Sequence, residues 1–75
     1  MQELIEFIVK SIVNDKDSVL IEVKKEDRFT LYNVNVDSSD MGAVIGKSGK
    51  IAEAIRTVAK SASGRERLRI KFESK

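Results

Sequence analysis

The strongest constraint on this chain is the run Gly46-Lys47-Ser48-Gly49, pressed on both sides by apolar residues, Val44-Ile45 before it and Ile51 after it. Two helical patterns meet there with only two residues between two glycines. Lacking Cβ atoms, the glycines let the chain turn tightly and let another backbone come close. Such a corner also directs amide N–H groups through the start of the next helix, where negative charge is favoured. The residues therefore describe a clamp for a sugar-phosphate backbone.

A nucleotide-hydrolysing phosphate loop shares some of these letters but needs four residues between its first glycine and the Gly-Lys-Ser/Thr. Here Gly42 and Gly46 enclose only Ala43, Val44 and Ile45, which are helical core material. Nor do 75 residues leave room for the parallel sheet that carries such a loop. That reading is rejected.

Composition removes other classes. The chain has no cysteine and no histidine, which excludes disulfides, Cys- or His-ligated metals and Ser-His or Cys-His catalysis. No cofactor is expected. Carboxylates at Asp15/Asp17 and Glu26/Asp27 fall in turns and face no nucleophile, so no enzymatic activity is expected. The apolar runs are too short for a membrane span, and Met1-Gln2-Glu3-Leu4 lacks the basic and apolar regions of a signal peptide. A cytoplasmic protein folded as one domain over residues 1–75 is expected. Residues 1–40 carry five Lys/Arg against nine Asp/Glu, whereas residues 41–75 carry nine against three. The excess positive charge thus lies in and after the glycine turn, where a polyanion needs it.

Periodicity supplies the order of elements. Leu4, Ile5, Ile8, Val9, Ile12 and Val13 form one stripe of a helix over about residues 2–13. Val19, Ile21 and Val23 alternate as a strand. Residues 24–28 suit a hairpin, and Phe29 to Val36 form a second strand rich in β-branched and aromatic residues. Asp37 as N-cap, with Asp40 three residues on, predicts a short helix to about Ile45. A longer helix follows the turn, with Ile51, Ala52, Ile55, Val58, Ala59 and Ala62 on one face, and stops at Ser63-Gly64. Leu68, Ile70 and Phe72 alternate as a third strand. The order is α-β-β-α-α-β, an α+β chain.

The string Val44-Ile45-Gly46-Lys47-Ser48-Gly49-Lys50-Ile51, set in that order of elements, resembles the GxxG core of the KH family. The order is similar to that of type II, bacterial-style members. Asp40-Met41-Gly42 and Ala54-Ile55-Arg56-Thr57-Val58 extend the likeness to the small bacterial single-KH proteins of the KhpA family. The chain departs from that group at Ser38, where proline is common, and at Ser48 and Lys50, where Gln and Arg or similar residues stand.

The resemblance implies a mixed three-stranded sheet, its second strand central, with three helices on one face. It implies single-stranded RNA, or single-stranded DNA, held between the short helix with its GxxG loop and the third strand. On that basis Gly46 and Gly49 admit the backbone, and Lys47 and Lys50 offer charge to phosphates beside Ser48. Gly42, Ala43 and Ile45 floor the groove. Arg56 and Lys60 extend the positive surface, while Arg65, Arg67 and Arg69 border the other side. The four aromatics, Phe7, Phe29, Tyr32 and Phe72, stand away from the turn in sequence, and Phe29 and Phe72 read as sheet core. Base stacking is therefore not expected to dominate affinity. One copy should bind weakly, so a homodimer, or a heterodimer with a larger KH-containing protein, is the expected working unit. The competing reading is a dimerisation module that serves as an assembly partner of another KH protein. The resemblance implies an RNA-binding factor, expected to be an RNA chaperone or post-transcriptional regulator.

Overall fold

A computed structural model describes residues 1–74. Its central strand, β2 (Thr30–Val36), pairs antiparallel with β1 (Leu20–Lys25) on one side and parallel with β3 (Leu68–Ser74) on the other. Alternation explains this position. Thr30, Tyr32, Val34 and Val36 are buried, and the residues between them are half-buried. The register sets Ile21 opposite Val34, and Leu68, Ile70 and Phe72 beside Thr30, Tyr32 and Val34. One face of the sheet thereby becomes continuous and apolar, as side chains of period two require.

Helices α1 (Gln2–Lys10), α2 (Met41–Ile45) and α3 (Lys50–Ser63) supply the other half of the core. Ile5 and Val9 from α1, Val44 from α2, and Ala52, Ile55 and Ala59 from α3 are buried together with the inward strand residues. Parallel strands cannot be joined by a hairpin and need a crossover. The α2–turn–α3 unit is that crossover, so the glycine turn stands at its corner. The predicted α+β order, α-β-β-α-α-β, is the one observed.

The structure departs from the periodicity in α1 and in β1. Helix α1 stops at Lys10 rather than near residue 13. Ser11 Oγ donates to the Ile8 carbonyl at 2.6 Å, and the Ile12 and Val13 amides both donate to the Val9 carbonyl. The chain tightens into a turn that still buries Val13, so the apolar stripe outlasts the helix. In β1 only Ile21 is buried, and Val23 is 40% exposed. Among the described residues no helix is long and apolar enough to cross a membrane.

Candidate nucleic-acid interface

The corner between α2 and α3 is shaped by three residues with positive φ. Gly46 has φ 74° and ψ 179°, a region open essentially to glycine alone. Ser48 follows at φ 57°, and Gly49 at φ 75° caps α3. The Gly46 amide closes α2 on the Gly42 carbonyl at 2.8 Å, and the Gly49 amide reaches the Gly46 carbonyl at 3.3 Å. Between them, the Lys47 and Ser48 amides donate to no backbone carbonyl among the described residues, and both side chains are exposed. Two N–H groups without a backbone partner and one ammonium therefore share a corner, a combination suited to anionic oxygens.

Asp40 positions this corner. It does more than the helix-start role its spacing suggested: it is 2% exposed, and both carboxylate oxygens are used across the fold. Oδ1 accepts the Asn14 amide at 2.9 Å and Oδ2 accepts the Asp15 amide at 3.0 Å. The start of α2 is thus tied to the turn after α1. Asp37 takes the expected cap position, accepting the Ser39 amide at 3.0 Å, over a short 3₁₀ turn at Ser38–Asp40 rather than directly over α2.

From the corner, α3 runs beside β3 and leaves a groove of about 200 Å³ lined by Arg56, Lys60, Leu68, Arg69 and Ile70. Arg56 stands about 10 Å along α3 from Gly49 at the usual 1.5 Å rise per residue. Its Nε donates to the Ile70 carbonyl at 3.2 Å, its Nη1 donates to Glu53 at 2.8 Å, and its guanidinium lies 5.4 Å from the Phe72 ring centre. Arg56 therefore bolts α3 to β3 as well as lending charge. Arg69 alternates with buried Leu68 and Ile70, which sends its side chain to the sheet's open face, where it stacks 4.6 Å over Phe29. Phe29 is consequently half-buried and outside the core, whereas Phe72 is buried as expected.

The remaining expected residues separate. Gly42 is exposed with open space around it, and Ile45 is half-buried against the core. Both stand next to Gly46 to Gly49 along the chain. Lys50 stands apart. At 100° per residue it projects from a side of α3 away from Arg56 and Lys60. It lines a shallow apolar depression with Ile8, Ile12, Ile51, Ala54, Ile55 and Val58. Arg65 and Arg67 lie past the groove, in an adjoining basin with Arg28 and Phe29.

Known proteins resemble this chain over nearly its whole length. A family model described as KhpA/KhpB, KH domain, matches residues 2–73. The RNA-binding protein KhpA of Borreliella burgdorferi is 41% identical over 71 residues, covering 95% of this chain and 87% of that protein. The RNA-binding protein KhpA of Clostridium perfringens is 40% identical over 73 residues, 97% of each chain. The protein of that name from Listeria monocytogenes is also 40% identical, over 97% of this chain and 96% of its own.

Proposed function

The chain belongs to the KhpA/KhpB KH-domain family, and from that membership we propose that it binds single-stranded RNA and acts as an RNA chaperone or post-transcriptional regulator. The phosphate backbone lies against Gly46, Lys47, Ser48 and Gly49, and the bases turn over Gly42 and Ile45 toward the groove between α3 and β3. The observation that carries this reading is the pair of amides at Lys47 and Ser48 that donate to no backbone carbonyl among the described residues, next to the Gly-only conformation of Gly46. Lys47 adds charge at the corner, and Arg56 and Arg69 edge the groove. The relatives are named as RNA-binding proteins, which supports binding rather than catalysis and a cytoplasmic place of work.

Replacing Lys47 and Ser48 by aspartates tests the site. Asp accepts left-handed φ better than most residues, so position 48 tolerates the change. Circular dichroism should stay as in the unaltered protein, and RNA crosslinking should be lost. Retained crosslinking overturns the groove assignment.

Pairing with a second copy, or with a larger KH-containing protein, is a compatible second reading. It is favoured by the apolar depression on α1 and α3, where Ile51 is 38% and Val58 48% exposed. Ala52, Ile55 and Ala59 face the core between two flanks of α3. Ile51 and Val58 occupy one flank, Arg56 and Lys60 the other. Pairing on the first flank leaves the second open to RNA, and two linked sites raise avidity without new contacts.

A further inference from the structure

Resting on the RNA-binding reading, we infer that the chain carries a second phosphate-binding site at the far end of α3, which takes the same RNA strand as it leaves the groove. Three segments converge there. Helix α3 ends at Ser63, the β1–β2 hairpin delivers Arg28 and Phe29, and β3 begins at Leu68. The Thr30 amide donates to the Arg67 carbonyl at 2.9 Å, which ties the hairpin's end to the strand's start. Arg28, Lys60, Arg65, Arg67 and Arg69 consequently surround one open basin of about 580 Å³.

The basin keeps a net positive charge. Among the described residues, Arg28, Lys60, Arg65 and Arg67 enter no ion pair. Glu66 is the one carboxylate among the lining residues, and it accepts from the Tyr32 hydroxyl at 3.4 Å. The carboxyl end of α3 adds only about half a negative charge. Such an excess of positive charge in a concavity attracts a polyanion. The Arg69 guanidinium stands 4.6 Å over the Phe29 ring, and a guanidinium can offer paired N–H donors to a phosphate.

Continuity identifies the occupant. Lys60, Leu68 and Arg69 line both the groove and the basin, so a strand lying in one passes directly into the other. Helix α3 carries that path about 20 Å from the glycine corner at 1.5 Å per residue. The GxxG clamp itself holds about four nucleotides. The footprint of this chain is therefore longer than its clamp.

The experiment compares oligouridines of about four and about eight nucleotides, one and two clamp lengths, by fluorescence anisotropy. Unaltered protein should bind the longer strand more tightly. Arg28→Ala with Arg67→Ala, both outside the groove, should lower the longer strand's affinity to that of the shorter and leave the shorter unchanged. Loss of two phosphate contacts should flatten the longer strand's log–log salt slope by about 1.4. If the double variant keeps the length gain, or weakens both strands equally, the inference is overturned. It is also overturned if polyglutamate binds through Arg28 and Arg67 while the longer RNA gains nothing. The Lys47→Asp, Ser48→Asp variant separates the two readings. Loss of short-strand binding there upholds the groove whatever the basin does, and survival of it removes the groove and with it the premise of the basin.

Discussion

The Ile51 side chain fills the space that a Cβ on Gly46 would occupy, its Cγ1 standing 2.5 Å from that position. The turn and the first residue of α3's apolar flank are thus fitted to each other. Gly49, by contrast, has nothing within 4 Å of its own Cβ position. The two glycines of one short motif are required for different reasons.

Alanine at each glycine should separate them. Gly49→Ala meets only left-handed strain, about 1–2 kcal/mol. Gly46→Ala adds overpacking against Ile51, about 1–3 kcal/mol, to backbone strain of about 1–3 kcal/mol. Urea unfolding should show the larger loss at Gly46, and an equal loss at both would contradict the fit to Ile51.

Asp40→Ala should cost about 1.5–3 kcal/mol, the range for hydrogen bonds to a charged group. Amide hydrogen exchange supplies the specific readout. The Asn14 and Asp15 amides should exchange faster in the variant. Unchanged protection there would mean that Asp40 does not hold the turn after α1.

Stability should respond to pH at both extremes. Burial first, and then the neighbouring Glu66 carboxylate, raises the Tyr32 hydroxyl above its ordinary value of 10.0. The folded chain then keeps a proton that the unfolded chain releases. The contribution is complete below pH 10 and fades as pH rises through the folded value. Thermal melts at alkaline pH should lose this slope in Tyr32→Phe. Glu73 is shifted the other way, lowered first by its hydrogen bond to Lys71 and then by that to Asn33, from an ordinary 4.5. Its contribution is present above that value and disappears as pH falls, so Glu73→Gln should flatten the acid limb of the melting profile.

Val58→Glu should disrupt pairing on the α1–α3 flank while leaving the buried core intact. Sedimentation should show a lighter species, and RNA affinity should fall by about the hundredfold that lost avidity allows. If the unaltered protein is already monomeric at the same concentration, the flank has a different use.

Local pattern made much of this architecture legible. Leu68, Ile70 and Phe72 alternate in sequence and are buried in register with β2, and the turn between two apolar helical runs lies where its glycines stand. Contacts distant along the chain were not legible. Asp40 meets Asn14 and Asp15 at separations of 26 and 25 residues, and no local spacing encodes that bond. Arg56 looks like a surface charge until β3 brings the Ile70 carbonyl beside it. The apolar face of α3 read as one stripe, yet only Ala52, Ile55 and Ala59 are buried. The stripe was wider than one contact needs, and that surplus signalled the exposed flank at Ile51 and Val58.

Strand β3 has a neighbour on one side only. A bare strand margin is a template on which foreign chains can stack into fibrils. Here the Ile70 carbonyl is already taken by Arg56, and exposed Arg69 and Lys71 crowd the approach with charge. The molecule can therefore leave a sheet border uncovered at high concentration without seeding its own polymerisation.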